Sequence, residues 1–314
     1  MRAVLSCVSV RRLGWQIALA SDRLCDDRPG WRGVSERRPG LRNSEGPARC
    51  LVLVGCGKMG TAMLRGWAAA GVASSCAVVE PAGVPAGFES AAEIDWYSSP
   101  QELPTELRPD AVVFAVKPQI AGEVVPDYRS WAGPETLFVS IIAGKTLAGL
   151  TRQLGRAAIV RTMPNTPAAI GRGITVACAN PLVTIGQRRL CDRLLAAIGE
   201  SAWVEDEVLM DAVTAVSGSG PAYVFLLIEA LARAGRAEGL PDELALQLAS
   251  ATVAGSGELA RISKESPAQL RENVTSPGGT TRAALDVLMT ADGLEPLIGR
   301  AVAAAAARSR ELAS

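Results

Sequence analysis

A run of four apolar residues, Leu51-Val52-Leu53-Val54, ends in Gly55-Cys56-Gly57-Lys58-Met59-Gly60, and Ala62, Met63, Leu64, Trp67 and Ala70 then follow at helical spacing. Strand, tight turn and helix in this order constrain the fold more than any other stretch. The G-x-G-x-x-G spacing suits a dinucleotide: Gly55 makes the turn, Gly57 lets the backbone approach a pyrophosphate, and Gly60 lets helix and strand pack closely. Alone the pattern is weak. Its context strengthens it, because a second strand-like run, Ala77-Val78-Val79, ends at Glu80, near the offset of about 20 residues expected for a ribose-binding acid.

Further apolar runs recur as alternating strands and helices require. Residues 111–116 and 137–142 are continuous and rich in β-branched side chains, as buried parallel strands should be. Shorter runs at 158–161 and 174–176 extend the series, with helices expected at 147–154 and 183–198. The sum is an α/β fold: a Rossmann-type dinucleotide-binding domain over residues 50–207. From Val208 strand signals vanish, and helices are expected at 212–238, 242–261, 280–288 and 294–312. This all-helical domain, 208–314, has more apolar surface than about a hundred residues can bury alone, so dimerisation through it is expected.

Composition narrows the chemistry. The 314 residues suffice for about two domains. Lys+Arg 32 balance Asp+Glu 32, which gives no reason to expect nucleic acid or an anionic membrane as partner. No apolar run reaches the roughly 18 residues that span a bilayer, and a soluble chain acting on a small molecule is expected. Histidine is absent, removing imidazole acids, His triads and His-containing metal sites. The seven cysteines are scattered, with no Cys-x-x-Cys pair; they read as reduced cytoplasmic thiols, and no metal site is expected. Residues 1–49, Arg-rich but carrying Asp22, Asp26, Asp27, Glu36 and Glu45, read as a disordered extension. The alternative, a cleaved targeting segment, is disfavoured by those acids.

Two segments of the helical half carry chemistry. Ser276-Pro277-Gly278-Gly279-Thr280-Thr281 places a glycine turn and hydroxyls just before a helix, where backbone N–H groups and the helix dipole would seat a small anion such as a carboxylate. An ordinary helix start after a turn is the plain alternative. Ser217-Gly218-Ser219-Gly220-Pro221-Ala222-Tyr223 interrupts helical periodicity, where each glycine costs about 1 kcal/mol and a proline about 3. It reads as a kink where backbone approaches a ligand, or as a loop between two helices.

These segments, with the fingerprint, Ala115-Val116-Lys117-Pro118-Gln119 and Arg161-Thr162-Met163-Pro164-Asn165-Thr166, resemble pyrroline-5-carboxylate reductase over residues 50–313. The resemblance implies reduction of 1-pyrroline-5-carboxylate to L-proline with NADPH, by a homo-oligomer built from dimers through the helical domain. It also implies roles. Gly55, Gly57, Lys58, Met59, Gly60, Ala115, Val116, Lys117 and Pro118 would hold the cofactor. Ser276, Gly278, Gly279 and Thr280 would grip the substrate carboxylate. Thr281 would hydrogen-bond the ring nitrogen, and Asn165 would sit near the nicotinamide or imine, unless it is only a turn residue.

Glu80 departs from the family's usual cofactor. Followed by Pro81-Ala82-Gly83, it puts a carboxylate, and no cation, where a 2′-phosphate would lie. Like charges there repel, so NADH is expected as an alternative to NADPH. A β-hydroxyacid dehydrogenase would need a lysine early in the helical half, and none lies in 208–238. A cofactor-binding sensor is the non-enzyme alternative.

Overall fold

The structure, a computed structural model, describes residues 48–88 and 93–312. The extension expected over 1–49 therefore falls, except for its last two residues, outside the described residues. Eight strands form one sheet: β1 (Leu51–Val54), β2 (Cys76–Val79), β3 (Ile94–Tyr97), β4 (Ala111–Phe114), β5 (Leu137–Ser140), β6 (Ala158–Met163), β7 (Gly173–Ala179) and β8 (Gly199–Trp203), in the order β3-β2-β1-β4-β5-β6-β7-β8. The first six are parallel. The chain reverses direction of travel across the sheet between β1 and β4, the switch point at which such folds bind ligands.

Period-2 alternation sends Leu51 and Leu53 to one face and Val52 and Val54 to the other. On the first face lie helices α1 (Lys58–Ala70) and, further along the chain, Ile185–Ala196, tied together by Trp67 Nε1–H donating to Leu194 O at 2.9 Å. On the second lie α2 (Ala121–Val124), a 3-10 segment Val125–Trp131 and α3 (Leu147–Leu154), where Tyr128 packs edge-on against Phe114. The helix Ile185–Ala196, α4, begins with a capping box formed by Thr184 and Gln187.

The strands differ from expectation at the edges. β3 (Ile-Asp-Trp-Tyr) and β8 (Gly-Glu-Ser-Ala-Trp) are only partly buried, so neither shows a continuous apolar run. β7 pairs antiparallel with β6, because the single 3-10 turn Thr166–Ile170 between them is too short for a crossover.

The helical half comprises α5 (Met210–Val213), α6 (Gly220–Ala237), α7 (Asp242–Ile262), α8 (Pro267–Asn273), α9 (Thr280–Leu288) and α10 (Leu294–Leu312). Between α5 and α6 the residues Thr214–Gly218 form a π turn, closed by Ser219 N–H donating to Thr214 O at 2.8 Å. Pro221 lies in the first turn of α6, where proline loses no hydrogen bond, so the penalty expected from an interior proline is not incurred. One further departure follows from this continuity. The helical stretch Glu207–Ala237, 31 residues with an 18-residue window of mean hydropathy 1.4, is by length and composition alone apolar enough to cross a membrane.

Candidate active site

Strand ends create the first part of the site. β1 and β4 stop in register, and Ala115 N–H donates to Val54 O at 2.8 Å, so Gly55 and Ala115 lie side by side at the carboxyl edge. Gly55 has φ +88°, and a Cβ there would stand 2.9 Å from Val116 Cγ1. A Cβ on Gly60 would collide with Gly55 O. At Gly57, by contrast, nothing lies within 4 Å of the position a Cβ would take, leaving open space before the helix. No side chain caps α1 and no acid lies in its first turn, so its leading N–H groups and dipole face that space. These features fit the phosphates of a dinucleotide. Lys58, Lys117 and Pro118 are exposed along the same edge, with Met59 and Val116 half-buried.

Glu80, at the end of β2, turns toward the fingerprint: Oε2 accepts from Cys56 N–H at 2.6 Å and Oε1 from Ala82 N–H at 3.0 Å. Burial pushes the Cys56 thiol up, the hydrogen bond from Thr61 works against this, and the Glu80 charge adds to it.

A second cluster gathers at the end of β6. Asn165 Oδ1 accepts from Ile174 N–H at 3.0 Å, so one of its polar atoms braces the turn into β7. The π turn also reaches the end of β6: a Cβ on Gly218 would stand 3.4 Å from Met163 Sδ, which brings Gly218 beside Met163. Hydroxyls hold the turn, Thr214 Oγ1 bonding Met210 O at 2.8 Å, Ser217 Oγ bonding Val213 O at 3.0 Å and Tyr223 Oη bonding Ala215 O at 3.1 Å. Single π turns inside helices often mark functional sites.

Sequence reasoning assigned no role to Arg161 and Glu207. Arg161 is 4% exposed, and its Nη1 donates to Glu207 Oε1 at 2.8 Å. The same oxygen accepts from Leu147 N–H at 2.8 Å. One carboxylate thus ties β6, the start of α3 and the entry to the helical half. An arginine ending an apolar strand was the available signal, since buried charges are paired.

The third part is the start of α9. Gly278 has φ +68°, Gly279 N–H donates to Ser276 O at 3.1 Å, and α9 begins at Thr280 with no capping side chain and no acid in its first turn. Its N–H groups thus stay available to an anion. Hydrogen bonds of this segment are local, Thr281 is half-buried and the other four candidate residues are exposed or nearly so. The structure thus leaves the start of α9 uncapped, and no hydrogen bond among the described residues links this segment to the fingerprint crevice of the same chain. Among the described residues no cluster of three His, Cys, Asp or Glu side chains is placed to hold a metal ion.

A mostly parallel sheet with an open glycine crevice at its switch point, joined to an all-helical half, defines a dinucleotide-dependent oxidoreductase. The family model described as pyrroline-5-carboxylate reductase dimerisation matches residues 207–312, and one described as NADP oxidoreductase, coenzyme F420-dependent, matches 51–144. The chain is 41% identical over 265 residues to pyrroline-5-carboxylate reductase of Pisum sativum, covering 83% of this chain and 95% of that protein. It superposes on the enzyme of that name from Coxiella burnetii with TM-score 0.78 at 33% identity, over 84% of this chain and 98% of that one. A Plasmodium falciparum pyrroline carboxylate reductase with NADP bound gives TM-score 0.72 at 32% identity, over 85% and 98%. The chain belongs to the pyrroline-5-carboxylate reductase family.

Proposed function

We propose that this chain reduces 1-pyrroline-5-carboxylate to L-proline, with NADPH or NADH as hydride source. The observation that carries the reading is the presence, in one chain, of an uncapped glycine crevice at the sheet's switch point and an uncapped, hydroxyl-flanked helix start. The first suits a dinucleotide and the second a small carboxylate.

Bound in the crevice, a reduced nicotinamide supplies the hydride. The chain's own residues do the rest. Gly55, Gly57, Lys58, Met59 and Gly60 receive the phosphates, and Ala115, Val116, Lys117 and Pro118 line the crevice. Ser276, Gly278, Gly279 and Thr280 hold the carboxylate through backbone donors and hydroxyls, and the Thr281 hydroxyl bonds the ring nitrogen. Asn165 stands at the sheet edge near the reacting carbon. An imine is already electrophilic, more so when protonated, so positioning supplies most of the acceleration and neither metal nor histidine is needed.

The working molecule is a homodimer, or an assembly of dimers, joined through residues 208–314, with residues 50–207 as the cofactor domain. Apolar side chains left on α6 and α7, Phe225 and Leu226 at 57% exposure among them, support this. The free thiols of Cys50, Cys56, Cys76, Cys178 and Cys191 support a reducing, cytoplasmic location.

The test is direct. Purified protein is mixed with 1-pyrroline-5-carboxylate and each reduced cofactor, and absorbance loss and proline are measured. Substrate-dependent oxidation with stoichiometric proline is expected. No turnover in a protein that binds cofactor would refute the reading.

A further inference from the structure

Glu80 is held from two sides before any cofactor arrives. Its two oxygens accept from Cys56 N–H, in the fingerprint loop, and from Ala82 N–H, in the loop after β2, at 2.6 and 3.0 Å. Amide bonds to a carboxylate are strong. The backbone beneath is fixed as well, Glu80 N–H donating to Tyr97 O at 2.9 Å and Gly83 N–H to Glu80 O at 3.0 Å. The carboxylate therefore stands as a built part of the crevice wall and not as a mobile surface side chain.

No cation offsets it in the loop that follows. Pro81-Ala82-Gly83-Val84-Pro85-Ala86-Gly87 carries no basic residue. Arg65 of α1 reaches this loop, but its guanidinium lies at 3.4 Å from Ala86 O and 5.4 Å from the centroid of the Phe88 ring. Lys58 stands at the head of α1, where the bridging phosphates belong. In this fold the acid ending the second strand accepts from the ribose 2′-hydroxyl of NAD, whereas a 2′-phosphate calls for a basic group at that place.

We infer that Glu80 sets the cofactor preference of this chain, favouring NADH and selecting against the 2′-phosphate of NADPH. The inference rests on the dinucleotide reading of the crevice. Relief of the clash requires Glu80 to swing out, which breaks both amide bonds, so the penalty cannot be escaped by a simple rotamer change. Part of it is coulombic at a half-buried site and should shrink as salt rises.

Calorimetric titration of the full chain with NADH and with NADPH, in the absence of imine, tests this without turnover. NADH is expected to bind at least about tenfold more tightly. Glu80→Gln keeps an acceptor oxygen and removes the charge, and should bring the two dissociation constants together; Glu80→Ser, which opens the space, should do the same or reverse their order. NADPH binding as tightly as NADH to the unaltered protein would overturn the inference, as would a preference that both variants leave unchanged. If neither cofactor binds, the dinucleotide reading fails and takes this inference with it. If NADH binds preferentially but no proline forms, the proposed reaction fails and the role of Glu80 stands.

Discussion

Replacing Glu207 by alanine removes the one carboxylate that serves both Arg161 and the start of α3. Arg161 would keep its charge at 4% exposure, with Nη2 already lacking a partner, and Leu147 N–H would lose its acceptor. Breaking one member of a buried pair costs about 3–5 kcal/mol. Glu207 is 26% exposed, so water softens the loss and the low end, about 3 kcal/mol, is expected. With an unfolding entropy of about 2.1 cal/mol/K per residue, each kcal/mol shifts Tm of a chain of this size by about 1.5–2 °C, which gives a fall of roughly 5 °C. Thermal melts at fixed protein concentration, needed because association adds to stability, would measure it. The double variant Arg161→Met with Glu207→Leu should recover most of the loss, since it leaves no buried charge unpaired. A fall below about 1 kcal/mol, or a double variant less stable than Glu207→Ala, would refute the view that this pair is a buried joint.

Thr281→Ala should lower kcat by about 10–100-fold, the worth of one hydrogen bond to a charged group, while cofactor affinity measured by titration stays nearly constant; weakened cofactor binding would move the α9 segment to the nucleotide site. Burial raises the Cys76 thiol to about 12 and pushes Cys191 up as well, so both remain protonated at pH 8 and iodoacetamide should label them only after unfolding. Peptide mapping that finds Cys76 alkylated in the native protein would contradict its packing. Gly57→Asp, whose side chain would enter open space and repel phosphates, should be inactive alone, as a cofactor-site defect. Mixed with Thr281→Ala and reassembled, it should regain about a quarter of normal activity if each site joins a crevice from one chain to an α9 from its partner, and none if both parts belong to one chain.

Much of this was legible in the sequence where burial is symmetrical. β1, β2, β4 and β5 are covered on both faces, so their runs are apolar throughout and their positions follow from composition alone. β3 and β8 lie at the sheet's edges, and a partly buried edge strand such as Ile94-Asp95-Trp96-Tyr97 is only four residues long and is broken by Asp95, so it shows no continuous apolar run. α8, Pro-Ala-Gln-Leu-Arg-Glu-Asn, buries no residue and has no apolar face to read. The π turn was visible only as an interruption, because its i to i+5 bond is a matter of backbone geometry that Ser217-Gly218-Ser219 permits without encoding uniquely. For the site, glycines and hydroxyls point to backbone chemistry and can be found by spacing. The Arg161–Glu207 joint and the anchoring of Glu80 by Cys56 N–H join residues far apart in the chain, and no local pattern carries them.

The exposure of α9 sets a physical requirement. A nine-residue helix is shorter than the roughly 12–15 residues at which isolated helices become even marginal in water, and none of its residues is buried in the chain. Val287 at 69% exposure and Met289 at 58% leave its apolar side in solvent. A carboxylate seat open to water would also gain little, because water screens the very N–H groups that must hold the anion. α6 and α7 present a matching problem, with Val224, Phe225, Leu226, Leu246 and Leu248 outward. Lipid would cover such a face, but Glu229, Arg233 and Arg236 lie along the second half of α6, and Glu207, before α5, is ion-paired to the sheet through Arg161. A second copy joined through the region matched as a dimerisation module would cover the apolar faces of α6 and α7 with protein, and the proposed dimer must in addition bring a surface over α9 if the seat is to be shielded from water.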